Sequence, residues 1–191
     1  ELVRQGKLGT IRKVVAEYPQ GWLSSAVEKA GLKQADWRTD PARSGAGGCI
    51  GDIGTHAYNL ARFVSGLTME ALRADLTTFV PGRQVDDNVN MLLRFEGGAK
   101  GMLWASQVAP GCENGLALRL YGDRGGLEWR QEDPNALWFT RFGDVKQRLS
   151  RGANEATGEG LGIRIPPGHP EGYLEAFATL YSEFAKVIRN E

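Results

Sequence analysis

The feature that most constrains the fold is a period of two in hydrophobicity that runs through much of the segment 69–149. In 88–95 and again in 116–121, apolar side chains occupy every second position, which is typical of half-buried β-strands. Such stretches are separated by the turn signals Glu96-Gly97-Gly98, Gly122-Asp123-Arg124-Gly125-Gly126 and Asp133-Pro134-Asn135. Since parallel strands need connections of about a dozen residues or more, strands joined by these turns predict an antiparallel meander.

Helical patterns and one further strand flank the meander. Residues 10–18 are rich in β-branched side chains and predict a strand. Apolar residues at helical spacing predict a helix over 52–65, with Asp52 as N-cap, and a second over 173–188. The stretch from 150 to 172 lacks periodicity, which favours a long loop. Together these patterns predict an α+β fold: an open, mainly antiparallel sheet of about six to eight strands with helices on one face.

Composition limits the function classes. The 23 basic residues balance 23 acidic ones, so we expect no nucleic-acid partner and no anionic membrane surface. No apolar run approaches the roughly 18 residues of a membrane span, and the chain does not start with a signal peptide. The cysteines, Cys49 and Cys112, form neither a disulfide framework nor a zinc set, which favours a cytoplasmic location. We expect one domain, 1–191, cut from a longer protein because it starts without methionine.

Asp52 and His56 are the first candidates for catalysis. On a helix, positions i and i+4 are neighbours, so the carboxylate and the imidazole are expected side by side at the helix N-terminus. Histidine titrates near neutral pH and can move a proton, and a carboxylate can orient it. The alternative is structural: Asp52 only caps the helix and His56 is satisfied by that cap. With two histidines in the chain, His56 and His169, we predict no metal site.

Two further motifs suit a polyhydroxylated ligand. Trp37 and Arg38, interpreted as part of a loop, would offer an aromatic plane for a sugar and a guanidinium for its hydroxyls. The alternative is that Trp37 covers the core and Arg38 is a surface charge. The rigid segment 166–170 presents His169 just before the last helix, either as a substrate contact or as part of a stiff connector.

The order of these motifs carries a resemblance over nearly the whole chain. The matching segments are Trp37-Arg38, Gly47-Gly48-Cys49-Ile50-Gly51-Asp52-Ile53-Gly54-Thr55-His56, Leu60-Ala61-Arg62, Gly66, Asp86-Asp87-Asn88, Ser106-Gln107, 121–126 and 168–173. They are similar to the substrate domain of the glucose-fructose oxidoreductase, inositol dehydrogenase and MocA-like (Gfo/Idh/MocA) family. A glycine-rich run followed by Asp-x-Gly-x-His at a helix start is fairly specific to that family.

The resemblance implies a fold and an activity. The fold would be a dihydrodipicolinate-reductase-like C-terminal domain, and a Rossmann domain absent from this chain would bind NAD or NADP. The full-length enzyme would oxidise or reduce a secondary alcohol of a sugar or cyclitol, with this domain inactive alone. His56 would be the acid/base and Asp52 its partner, with Trp37 and Arg38 lining the sugar site. Of the two interpretations of His169, we expect the substrate contact. We also expect a homodimer or homotetramer formed through the open sheet face.

Two departures and one rival accompany this hypothesis. The runs 45–50 and 158–163 both fail the last position of Gly-x-Gly-x-x-Gly, and the family's Glu-Lys-Pro lysine is missing, so no cofactor-binding residue is predicted in this chain. Asn59 stands where many relatives carry Asp. The rival hypothesis is a non-catalytic module that binds sugar or dimerises.

Overall fold

The computed structural model describes residues 1–153 and 163–191. Eight strands form one sheet in the order β2-β3-β4-β1-β5-β6-β7-β8. Their bounds are β1 Ile11–Pro19, β2 Met69–Thr77, β3 Asn88–Phe95, β4 Lys100–Ser106, β5 Ala117–Gly122, β6 Gly125–Arg130, β7 Ala136–Arg141 and β8 Gln147–Ser150. Among the described strands, β1 and β4 are the one parallel pair. The predicted open, mainly antiparallel sheet is confirmed.

β1 is the first strand in the chain and lies in the middle of the sheet. Val14, Ala16 and Tyr18 point to one face, and their neighbours across the strands include Leu103 of β4 and Leu118 of β5. All five belong to the buried core. The alternate side chains of the strands form the opposite face, where Glu17 of β1 pairs with Arg119 of β5.

Four α-helices accompany the described sheet: α1 Lys33–Arg38, α2 Pro41–Ser44, α3 Thr55–Ser65 and α4 Tyr173–Arg189. α3 crosses β1, β4 and β5 and buries Ala57 and Ala61 against them. Their small side chains let the helix approach the sheet closely. α3 ends where Gly66 adopts a left-handed conformation (φ 71°), as predicted for a helix stop. None of the described helices is both long and apolar enough to cross a bilayer.

Two local predictions were wrong. α3 begins at Thr55 and not at Asp52, because one turn of π-helix over Ile50–Gly54 precedes it without a break in helical backbone. Asp52 lies inside that turn and caps nothing. Trp37 and Arg38 form the last residues of α1 and not part of a loop. In both cases the chain forms a helical turn where the sequence offered no repeating apolar pattern.

The C-terminal part follows its prediction where the structure describes it. α4 covers the predicted helix, and Glu175 accepts a hydrogen bond from the Gly172 N–H at 2.8 Å at its start. All of its apolar side chains, Tyr173 and Phe177 among them, are at least partly exposed. The predicted loop over 150–172 contains no strand or helix in 163–172, while 154–162 lies outside the described residues.

The face of the sheet opposite α3 carries exposed apolar side chains. Leu92 of β3 is 62% exposed, Met102 of β4 37% and Tyr121 of β5 46%. Leu92 and Met102 are paired across β3 and β4, while Tyr121 lies beyond β1, opposite Lys13. No described helix packs on these three residues. We call this surface the open face.

Candidate functional site

The candidate site lies at one end of the sheet, which we call the site end. The parallel strands β1 and β4 end here side by side, with Pro19 opposite Ser106. β3 starts at the same end with Asn88, opposite Ser106. The segments that follow β1 and β4, and the one that precedes β3, therefore meet here. The π-turn that carries Asp52 packs onto β3 and β4.

Asp86 holds the glycine-rich run in place. Its carboxylate accepts hydrogen bonds from the backbone N–H groups of Gly48 (2.7 Å) and Ile50 (2.8 Å), and its backbone oxygen accepts one from Cys49 at 2.8 Å. A Cβ atom at position 48 would lie 2.2 Å from that same oxygen, so only glycine fits. The sequence analysis named Asp86 only within a segment that carries the resemblance; in the structure its carboxylate anchors the turn that presents Asp52.

Asp52 is held by two donors on one oxygen. Gln107 Nε2 donates to its Oδ2 at 2.7 Å, and Arg38 Nε donates to the same atom at 3.2 Å. The Arg38 guanidinium is fixed in turn, because it stacks 4.2 Å from the Trp37 ring and donates to the Gln34 side chain. The carboxylate therefore has a defined orientation. Sequence reasoning placed Arg38 near the site but predicted neither of these hydrogen bonds.

His56 lies one turn after Asp52 with its imidazole exposed. Its ring meets the ring of Tyr18 edge-on, with centroids 6.3 Å apart and planes at 63°. Within the described ranges the imidazole has no hydrogen-bond partner, and thus no bond to Asp52. Burial raises the pKa of Tyr18, the side chain of Gln131 lowers it, and the negative charge of Asp52 raises it further. The phenol therefore stays protonated at neutral pH.

The two tryptophans near the site differ in setting. Trp37 lies beside Arg38 and is 37% exposed, so its indole ring is accessible to a ligand at the site end. Trp22 follows β1, lies 5.9 Å from the same guanidinium and donates its Nε1–H to Gln20 at 3.0 Å. The Arg38 guanidinium thus contacts Trp37 and Asp52 and has Trp22 nearby, which places the four side chains in one group.

His169 lies elsewhere at the same end of the sheet. Its Nδ1 is 3.3 Å from the Pro166 carbonyl oxygen, and its own carbonyl accepts from Arg151 at 2.9 Å. Arg151 also bonds Asn135, which precedes β7. Since β7 and β8 are three and four strands from β1, this group lies about 14 to 19 Å from it. Among the described contacts, none joins His169 to Asp52 or His56.

Two buried groups beside the site serve the fold. Asp87 is fully buried and accepts from the N–H groups of Phe79 and Val80 and from Arg83, whose side chain is 1% exposed. Burial raises the pKa of the Cys49 thiol, and the nearby aspartates raise it further, so this thiol is protonated and inert.

No three His, Cys, Asp or Glu side chains in the described segments lie close enough to hold a metal ion.

Residues 1–128 match a family model described as the GFO/IDH/MocA C-terminal domain. An oxidoreductase from Sinorhizobium meliloti shares 49% identity with this chain at a TM-score of 0.83, covering 99% of this chain and 49% of that one. An inositol dehydrogenase homolog from Azotobacter vinelandii, solved with NADH and myo-inositol, shares 35% at a TM-score of 0.85, with coverages of 96% and 47%. A levoglucosan dehydrogenase from Pseudarthrobacter phenanthrenivorans is 27% identical over 187 residues, 83% of this chain and 46% of that protein. The chain spans about half the length of the curated relatives it matches.

Proposed function

This chain belongs to the GFO/IDH/MocA C-terminal domain family, and we propose that residues 1–191 form the substrate domain of a nicotinamide-dependent oxidoreductase. The substrate would be a secondary alcohol of a sugar or cyclitol. The similarity to a protein solved with NADH and myo-inositol and to a levoglucosan dehydrogenase supports this class. The choice between NAD and NADP is open to a direct assay with both cofactors.

One observation carries the proposal: an exposed imidazole stands one helical turn from a carboxylate whose orientation is fixed. Gln107 and Arg38 both donate to Asp52 Oδ2, which leaves the other carboxylate oxygen to accept from a substrate hydroxyl. His56 is exposed and takes the hydroxyl proton as the alcohol carbon is oxidised, or returns it in the reverse direction. Asp52 positions the hydroxyl and stabilises the imidazolium that forms.

The remaining predicted residues define the extent of the substrate site. The exposed ring of Trp37 covers an apolar sugar face, while Arg38 reaches substrate hydroxyls with the donors that Asp52 and Gln34 leave free. His169 lies too far from β1 to contact the same hydroxyl as His56. It contributes to binding only with a substrate, or a substrate group, that extends toward β7.

The described residues do not fit a dinucleotide. The one parallel pair among the described strands, β1 and β4, is connected through β2 and β3 and not through a single crossover helix. Neither glycine run matches Gly-x-Gly-x-x-Gly. A nicotinamide cofactor therefore has to be held by another part of the enzyme. The residues of this chain bind the alcohol and accept or return its hydroxyl proton.

We further propose that the open face pairs with a second copy of the chain, giving a homodimer or homotetramer. Leu92, Met102 and Tyr121 supply exposed apolar area on a sheet face that no described helix covers. Leu92→Arg would place a charge in that interface. Size-exclusion chromatography with light scattering should show a smaller assembly for this variant, and an unchanged mass would refute the pairing.

The decisive test of the catalytic proposal is His56→Ala in the full-length enzyme. We expect kcat with its best polyol substrate to fall by about 10²- to 10⁴-fold, the usual contribution of a positioned acid/base group. Arg62→Ala, at an exposed position of the same helix, is the matched control and should leave kcat unchanged. If His56→Ala stays within a few-fold of wild type, the acid/base role is wrong and the non-catalytic module is favoured.

A further inference from the structure

Gln107 is a buried polar residue whose place at the site is fixed from three sides. It follows the last residue of β4 and is 3% exposed. Its backbone N–H donates to the Asp87 oxygen at 2.9 Å, and its backbone oxygen accepts from the Leu23 N–H at 3.0 Å. The side-chain amide then donates to Asp52 Oδ2 at 2.7 Å. The amide is thus attached to the sheet and not to the π-turn that carries Asp52.

The two donors to Asp52 differ in how firmly they are held. Arg38 comes from the short helix α1, with a quarter of its side chain exposed, and its bond to Oδ2 is the longer at 3.2 Å. Gln107 comes from the buried end of a central strand, and its bond is the shorter at 2.7 Å. The position of Oδ2 therefore depends mainly on Gln107. Among the described residues, no donor is bonded to Oδ1.

We propose that Gln107 is a positioning residue for the reaction. By holding Oδ2 from the end of β4, it fixes the Asp52 carboxylate so that Oδ1 is the atom that receives the substrate hydroxyl. This inference rests on the proposed function. A carboxylate free to rotate would still bind substrate, but would place the reacting hydroxyl less accurately against His56. Loss of the amide therefore acts mainly on kcat, because misplacement of reacting groups by about 1 Å can cost about 10²-fold in rate.

The kinetic test uses Gln107→Met, which keeps the length of the side chain without a donor, and Gln107→Glu, which puts a second carboxylate against Asp52. In the full-length enzyme we expect Gln107→Met to lower kcat by about tenfold or more with KM changed less than about threefold. Gln107→Glu should be slower again. Gln147, exposed on β8, provides matched controls as Gln147→Met and Gln147→Glu, which should behave as wild type. A kcat for Gln107→Met within threefold of wild type would overturn the proposal.

A thermal double-mutant cycle tests the contact without any activity. Gln107→Glu should lower Tm when Asp52 is present and lower it much less in the Asp52→Asn background, where the amide introduced on the π-turn can donate to the new carboxylate. Equal losses of Tm in both backgrounds would show that the two side chains do not interact, and would also overturn the proposal. If wild type oxidises no polyol while the cycle shows coupling, the proposed function fails and with it the catalytic role of Gln107, but the contact stands.

Discussion

Gly48 and Gly51 lie three residues apart in the same run, yet the structure predicts opposite outcomes when each is replaced by alanine. At Gly48 the new Cβ would lie 2.2 Å from the Asp86 backbone oxygen and 2.7 Å from a Val85 methyl carbon. At Gly51 nothing lies within 4 Å of the new atom, and the residue is in the helical π-turn. The same substitution, glycine to alanine, therefore tests a tightly packed position and an open one.

The size of the Gly48→Ala effect follows from what must move. Contacts below about 3.0 Å are not tolerated, so the run must shift by about 0.8 Å away from Asp86. Three hydrogen bonds tie the run to Asp86, and two of them end on its carboxylate. Hydrogen bonds to charged groups contribute about 1.5–3 kcal/mol each, so weakening the two on the carboxylate should cost about 3–6 kcal/mol in the free energy of unfolding. Gly51→Ala should gain about 0.4–1 kcal/mol by restricting the unfolded chain.

Urea denaturation of the 191-residue chain, followed by tryptophan fluorescence and circular dichroism, measures both changes against wild type. For a chain of this length, a loss of about 3–6 kcal/mol corresponds to a fall in Tm of about 6–24 °C. If Gly48→Ala unfolds at the same urea concentration as wild type, the close packing against Asp86 is wrong. If Gly51→Ala is as destabilising as Gly48→Ala, the run is held by something other than these contacts.

Three further outcomes follow from the buried charges near the site. Arg83→Met should cost about 3–5 kcal/mol, measured by urea denaturation, because it leaves the fully buried Asp87 without its ion-pair partner. Burial alone would raise the pKa of Glu28, but hydrogen bonds from Arg83 and the backbone, with the charges of Arg83 and Lys29, lower it below 4.5. The stabilisation by Glu28 is therefore complete above pH 4.5 and is lost as pH falls through the lowered pKa. In a series of Tm measurements against pH, Arg83→Met should weaken this dependence. Asp86→Asn should lower both Tm and, in the full-length enzyme, kcat, since its weaker acceptor loosens the turn that presents Asp52.

Much of the fold could be predicted because strand and helix periods are local. The alternation over 88–95 correctly assigns Val89 and Leu93 to the buried face of β3. The central, parallel place of β1 beside β4 could not be predicted, since the strands are joined through two others and no local pattern records which neighbours a strand selects. A strand that pairs on both sides and a strand at the edge of the sheet have the same alternating hydrophobic pattern when each buries one face.

The candidate site likewise contains some features that the sequence predicted and others that it did not. The sequence brought Trp37, Arg38, Asp52 and His56 into one hypothesis, and their roles in substrate binding and catalysis remain predictions. It included Gln107 only as part of the Ser106-Gln107 segment that carries the resemblance, and it did not predict the hydrogen bond to Asp52. Assigning Asp52 as an N-cap was wrong because the amides at the start of the turn are bonded by Asp86, more than 30 residues later in the chain. Contacts over such separations are set by the sheet and leave no mark in local spacing.

The central place of β1 has a consequence for synthesis. On the ribosome β1 is made well before its partners, because β4 begins at Lys100 and β5 at Ala117. At about 5–20 residues per second, the 81 residues from Gln20 to Lys100 take about 4 to 16 s. Throughout that interval both edges of β1 are unpaired. β2 and β3 can already form a hairpin without β1. Until β4 and β5 emerge, the nascent chain therefore exposes two unpaired edges of β1, at which other strands can pair.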